Sequence, residues 1–292
     1  MNERAPVPPL REDSVVNTIK LSAPATREFW EIPVLFEDEN LLALDKPSGL
    51  LTTPERADAA VAEVERPNLM RLLHEGIAAQ KPWAKQRGLT HLSNAQRLDD
   101  ETSGVLLLAK SKDVALALAD QFGIDKPVSK YFALIASLPS SDHFEMDAKL
   151  ALAEGPLVIA RVDPATGKKC HTAFDVLEKF NGYTTLRCHP RTNRTHQIRA
   201  HLRHAGFPLV GDKLYGGKPL WLSRLKKDFR LKPGREERPL ISRVALHAEE
   251  LSLTHPVTQQ PLTIASPLPK DLRVALRYLR EFGGNLRRFV EE

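Results

Sequence analysis

The 292-residue chain predicts an α+β domain built on a mixed, mainly antiparallel sheet with flanking helices. Three observations carry that prediction. From residue 128 onward, short apolar and β-branched segments are separated by Pro, Gly and Asp-rich turns, the pattern of strands joined by tight connections. Before and after them lie stretches with apolar residues at helical spacing. One of these follows Ser111 and ends at Gly123, a capping residue and a stop signal. No unit recurs at a fixed period, which excludes a solenoid or propeller.

Each element follows in order. Residues 1–28 combine Pro6, Pro8 and Pro9 with scattered charges, so they are expected to form a poorly ordered tail, with 29–292 as the folded domain. Ile32 to Phe36 and Leu41 to Asp45 read as strands around a polar turn, and Lys46-Pro47-Ser48-Gly49 ends the second. Helical spacing recurs from Asn68 to Ala79 and from Ser111 to Phe122. Strands are expected at Tyr131 to Ala136, Leu157 to Val162, Thr172 to Leu177 and Tyr183 to Cys188. A helix from about Thr195 to Ala205, stopped by Gly206 and Pro208, precedes a basic loop from Gly216 to Pro239. Val244 to Thr254 and Pro261 to Ala265 form a terminal hairpin, and Asp271 to Phe282 a last helix closed by Gly283-Gly284.

Composition narrows the function. The chain is 42% hydrophobic and 27% charged, and runs such as Val105 to Ala109 fall far short of the ~20 apolar residues of a membrane span, so a transmembrane helix is excluded. Cys170 and Cys188 make no C-x-x-C pair, which argues against a zinc ribbon or redox dithiol and for a reducing compartment. Without an apolar leader, the expected location is the cytoplasm. The net charge of +5 is unevenly spread: Arg187 to Arg243 holds fifteen Lys/Arg against four Asp/Glu, a net +11, leaving −6 elsewhere. A basic concentration of that kind attracts polyanions.

Two segments are dense in chemistry. Arg97-Leu98-Asp99-Asp100-Glu101-Thr102-Ser103-Gly104 runs directly into the apolar strand at Val105. It reads either as a charged turn bonding its own backbone or as an active-site loop carrying a carboxylate. Arg194-Thr195-His196-Gln197-Ile198-Arg199 opens the predicted helix, which sets Thr195, Arg199 and Leu202 on one side and His196 with Ala200 on another. His196 and His201 are off the i, i+4 spacing of a helical metal pair, so no metal site is expected. Ala165-Thr166-Gly167-Lys168 lacks the first glycine and following hydroxyl of a phosphate loop and reads as a hairpin turn. No G-x-S-x-G or G-x-G-x-x-G occurs.

Taken in order, these blocks resemble the RluA-type RNA pseudouridine synthases. The matching segments are Glu37-Asp38 through Lys46-Pro47-Ser48-Gly49-Leu50, Arg97-Leu98-Asp99 with Thr102-Ser103-Gly104, Lys130-Tyr131-Phe132-Ala133, and Arg194 to Arg199 continuing through Gly211-Asp212 and Tyr215-Gly216. Arg243 to Ala248 with His255-Pro256 resembles the closing segment, so the likeness spans about 31–266. Three positions depart from the pattern: Gln96 stands for a usual His, Asn193 for a usual Gly, and Ser129 for a common Lys. Because Asn tolerates positive φ best among non-glycine residues, Asn193 is expected to keep the tight turn.

The resemblance implies the sheet and cleft of the pseudouridine synthase catalytic domain. It also implies isomerisation of uridine in ribosomal or transfer RNA. By that likeness Asp99 is the catalytic carboxylate, Arg199 its partner, and Tyr131 the aromatic that packs on the uracil and moves its proton. Arg97 resembles the residue that fills the stack left by a flipped base. Arg194, His196, Gln197 and the loop lysines Lys226 and Lys227 are expected at the RNA. Substrate and product have the same atoms, so no cofactor is implied, and the expected partner is RNA alone, bound by a monomer. Competing readings are an inactive RNA-binding protein on the same scaffold and a nucleoside hydrolase pairing Asp99 with Glu101. Choice of uridine is expected to lie in Thr52 to Arg87 and Gly216 to Pro239.

Overall fold

In chain order the strands are Thr18–Ala23 (β1), Glu28–Glu37 (β2), Leu41–Lys46 (β3), Ser93–Asn94 (β4), Ser103–Ala109 (β5), Val128–Ile135 (β6), His143–Asp147 (β7), Leu150–Leu152 (β8), Ala160–Val162 (β9), His171–Phe180 (β10), Tyr183–Pro190 (β11), Leu246–Thr254 (β12), Pro261–Ala265 (β13) and Arg287–Arg288 (β14). The helices are Leu69–Ala78 (α1), Pro82–Gln86 (α2), Lys112–Gly123 (α3), Gln197–His204 (α4), Leu222–Leu225 (α5) and Lys270–Phe282 (α6), with a 3-10 turn at Lys213–Tyr215. This computed structural model describes residues 17–54, 66–155, 157–284 and 287–288. Of the segment expected to choose the uridine, 55–65 lies outside the described residues, as does most of the expected tail.

One sheet runs β1-β2-β3-β5-β12-β6-β11-β10-β14, with β13 on β12, β4 on β5 and β7 on β10. Its pairings are antiparallel except at the centre, where β5 and β12 run parallel through His247↔Ser103 and Ala248↔Gly104. Gly104 makes that junction possible. Its φ is +115°, and a Cβ there would lie 2.2 Å from the Ala248 carbonyl oxygen. The loop that carries Asp99 therefore enters the sheet at its most constrained point.

The period of two along β3 and β5 divides the core. Leu42, Leu44, Leu106 and Leu108 pack with Leu69 and Leu73 of α1 and with Trp83, whereas Leu41, Ala43, Leu107 and Ala109 pack with Val114 and Leu118 of α3. Both faces of β5 are thus covered, which explains its unbroken apolar run. The same alternation in β6 sends Phe132 and Leu134 towards Leu272, Leu276 and Leu279 of α6, and Ala133 and Ile135 towards Ile198 and Leu202 of α4. Tyr131 touches the clusters under both α1 and α4, so it stands at the seam between them on one face of the sheet.

The cap expected at Ser111 forms, its Oγ accepting the Val114 N–H, and Asn68 caps α1 in the same way by accepting the Arg71 N–H. Elsewhere the structure differs. β1 forms inside the segment expected as tail, because Ile19, Leu21 and Ala23 alternate inward and pair with Ile32, Trp30 and Glu28. The strand expected from Leu157 begins only at Ala160, and β8 and β9 make a separate two-stranded sheet whose Leu150 and Ala160 pack on Ala200 and Tyr215. β7 was not anticipated; its Phe144 and Met146 face the core while His143, Glu145 and Asp147 are exposed. No described helix is long and apolar enough to cross a membrane.

Candidate active site

The site is built from two loops held together by backbone. Lys46, fully buried at the end of β3, donates from Nζ to the carbonyls of Pro47 (2.9 Å), Leu50 (2.7 Å) and Asp100 (3.0 Å). Three acceptors match the three donors of an ammonium. Burial nevertheless lowers its pKa to about 7, against the pull of Asp100 and Asp99. Ser48 Oγ donates to the Glu101 carbonyl and Gly49 N to that of Asp100. Thr52 Oγ both donates to the Leu98 carbonyl and accepts the Leu98 N–H, at 2.9 and 3.2 Å. The Lys-Pro-Ser-Gly segment is thus a cradle for residues 98–101, and the sequence showed the two motifs without showing that one holds the other.

Above this cradle Asp99, a quarter exposed, faces Arg199 on α4, whose Nη1 donates to Asp99 Oδ2 at 3.3 Å. Arg199 is itself gripped from behind. Its Nε and Nη2 make a bidentate pair with the buried Asp212 carboxylate at 2.8 and 2.9 Å. Burial acts to lower the guanidinium pKa, but the Asp212 hydrogen bonds and the Asp99 charge outweigh it and hold the proton above the usual arginine range. Asp212 owes its place to Gly211, where φ is +76° and a Cβ would fall 1.8 Å from the Arg243 carbonyl oxygen. Arg243 in turn donates to the Glu101, Val244 and Leu246 carbonyls and pairs with Asp271 at the start of α6.

Tyr131 completes the inner wall. Burial, reinforced by the nearby Asp99 charge, raises its phenol pKa well above the ordinary value, so it stays protonated near neutrality. Asp99, Tyr131 and Arg199 all line one cleft of about 470 Å³, within the ~300–1,000 Å³ span of small-molecule sites. The wall includes Leu98, Thr102 and Leu246, with Leu152 and Val158 from the β8–β9 unit and Phe122 from α3.

Of the residues expected at RNA, Arg97 and Arg194 are exposed along this cleft. His196 and Gln197 also line it but are buried. The Gln197 amide is spent inside the protein: Oε1 accepts from Thr192 Oγ and Arg194 N, and Nε2 donates to the His171 carbonyl and Thr172 Oγ. It shapes the 192–194 turn. Lys226 and Lys227 follow α5 outside the cleft wall, with Lys226 Nζ 5.1 Å from the Phe282 ring centroid. The left-handed residue of this segment is His196 (φ 54°) and not Asn193, because the chain reverses at the helix entry and not before it. Glu101 is absent from the cleft wall, so the structure does not pair it with Asp99 across a substrate. Both nitrogens of His201 are occupied, by Thr172 Oγ and the Ala148 carbonyl. Among the described residues no group of three or more His, Cys, Asp or Glu side chains is arranged to hold a metal.

A partly buried carboxylate clamped by arginine thus stands beside a protonated phenol in a cleft rimmed by basic side chains, an arrangement suited to acid–base chemistry on a polyanion. Comparison with known proteins specifies the class. The RNA pseudouridylate synthase family matches residues 40–204, more than half of the chain. Ribosomal large subunit pseudouridine synthase D of Xylella fastidiosa is 34% identical over 277 residues, 94% of this chain and 74% of that protein. Synthase C of Vibrio vulnificus is 34% identical over 248 residues, covering 85% and 69%. Human RNA pseudouridylate synthase domain containing 4 shares the fold, with a TM-score of 0.61 at 22% identity over 85% of this chain and 92% of that one. The chain belongs to the RNA pseudouridylate synthase family, isomerases that convert uridine in RNA to pseudouridine.

Proposed function

We propose that this protein isomerises one or a few uridines of large-subunit ribosomal RNA, with Asp99 as the catalytic carboxylate. The observation that carries the assignment of Asp99 is its position: it is the carboxylate that faces the cleft while held by the doubly anchored Arg199. The ribosomal substrate is supported by the relatives, which are named for it over most of this chain's length.

A uridine in a folded RNA reaches Asp99 only when flipped from its stack, at a cost of a few kcal/mol. Arg97, exposed along the cleft, fills the gap it leaves. The C1′–N1 bond breaks, the base turns and C1′ bonds to C5; the proton leaving C5 is balanced by the one gained at N1. Asp99 works at the sugar face. Arg199 orients it through the 3.3 Å hydrogen bond, and Tyr131 packs on the uracil and relays the C5 proton. Arg194 contacts the RNA backbone, Gln197 holds the loop that presents Arg194, and Lys226 and Lys227 extend the basic path beyond the cleft. No cofactor enters this scheme, and the protein acts as a cytoplasmic monomer whose catalytic domain includes β1.

The test is genetic. The gene is deleted in its host, pseudouridines in total RNA are mapped by chemical labelling and sequencing, and the strain is complemented with wild type or Asp99→Asn. Loss of one or a few marks in large-subunit RNA, restored by wild type alone, is the expected result. Restoration by Asp99→Asn would refute the assignment of the carboxylate. Marks confined to another RNA would refute the substrate.

A further inference from the structure

His196 is set with more care than lining a cleft requires. Its left-handed backbone costs a non-glycine residue about 1–2 kcal/mol, so the surroundings must hold it there. The ring lies edge-on to Tyr215, with centroids 5.7 Å apart and planes at 83°. Tyr215 Oη donates to the Ala160 carbonyl (3.1 Å) and accepts the Ala160 N–H (2.8 Å). Its single proton being spent, its 3.1 Å contact with His196 Nδ1 makes the imidazole the donor. A neutral imidazole has one N–H, so Nε2 then carries a lone pair.

Nε2 is the ring nitrogen on the Asp99 side. Nε2 lies 3.9 Å from Asp99 Oδ2, beyond hydrogen-bond range, and among the described residues it has no hydrogen-bond partner. Burial lowers the imidazole pKa; Asp99 and Asp212 oppose the shift and Arg199 adds to it, leaving the ring neutral near pH 7. Two acceptors therefore border the same space, and the favourable neighbour for Nε2 is a donor supplied by the ligand. If Asp99 addresses C1′, the donor nearest to it on the sugar is the hydroxyl of C2′.

We infer that His196 Nε2 accepts a hydrogen bond from the 2′-hydroxyl of the target nucleotide and is thereby the residue that distinguishes ribose from deoxyribose at the reacting position. Tyr215 acts through it, by fixing the tautomer. The inference rests on the pseudouridine synthase reading of the cleft and adds to it the contact that selects the sugar.

The experiment uses full-length protein and an RNA fragment carrying the mapped uridine, or pseudouridine or 2′-deoxypseudouridine in its place. The last two do not react and differ by one hydroxyl, so their dissociation constants isolate it. Wild type should bind the ribose form about tenfold tighter, the size of one well-made hydrogen bond. His196→Ala should reduce the ratio to within about twofold. His196→Asn, which tolerates the left-handed backbone but is too short to reach, should do the same if the alanine variant folds poorly. An unchanged tenfold ratio in the variants, or no preference in wild type, would overturn the inference; equal weakening of both ligands would mean that His196 contacts the base or only supports the wall. Conversion of the uridine form by wild type checks the underlying reading separately, and its failure would remove both.

Discussion

Arg199 serves two carboxylates, and the structure assigns them different work. Asp212 is fully buried and binds Arg199 through two hydrogen bonds, whereas Asp99 is a quarter exposed and accepts one longer bond of 3.3 Å. Breaking a buried pair by removing one partner costs about 3–5 kcal/mol, because the remaining charge stays desolvated. A partly exposed pair is worth about 1 kcal/mol or less. Asp212→Asn should therefore destabilise the protein by about 3 kcal/mol or more, on the order of 10 °C in Tm for a domain of this size. Asp99→Asn should leave Tm within a few degrees while abolishing pseudouridine formation. Replacing both members of the buried pair, as Arg199→Met with Asp212→Leu, should recover most of the stability and none of the activity. Denaturant unfolding of the four proteins, beside product formation on transcribed RNA, separates the two roles. If Asp99→Asn loses as much stability as Asp212→Asn, or Asp212→Asn unfolds like wild type, the two carboxylates do not divide the work in this way.

Two further outcomes follow from the sheet centre. Gly104→Ala places a Cβ 2.2 Å from the Ala248 carbonyl oxygen at a φ of +115°, so it should cost several kcal/mol and lower the soluble yield; a wild-type denaturation midpoint would contradict the parallel β5–β12 junction. His247, fully buried between Ser103 Oγ and the Ser266 carbonyl, has its pKa lowered by burial to about 4. The unfolded chain binds that proton near pH 6.5 and the folded one does not. Stability is therefore fully present above pH 6.5 and falls as pH drops towards 4, by up to about 3 kcal/mol. His247→Gln should flatten that window in pH-dependent unfolding; an identical slope would assign the acid sensitivity elsewhere.

Strand and helix positions were legible wherever one face alone is buried, as in α1, α3 and β13, because the apolar period then survives in the sequence. β7 was overlooked because its outward His143, Glu145 and Asp147 gave it a polar character that its inward Phe144 and Met146 offset only once packed. β1 was hidden by its length: three inward residues make a convincing strand only beside β2. The placement of Lys226 and Lys227 outside the cleft was equally invisible, since charge density in a segment says nothing about which way a loop turns.

The sequence by itself supplied the candidates for chemistry, Asp99, Arg199 and Tyr131, and the concentration of basic residues from Arg187 to Arg243. Local spacing also determined most of the elements that carry them. Only the tertiary structure decided that Asp99 and Arg199, a hundred residues apart, stand 3.3 Å from one another, that Asp212 grips the arginine from behind, and that Lys46 ties the two loops. Those decisions depend on desolvation and on backbone approach through glycine, neither of which has a period along the chain. A carboxylate becomes half-buried and ion-paired through what other strands bring beside it.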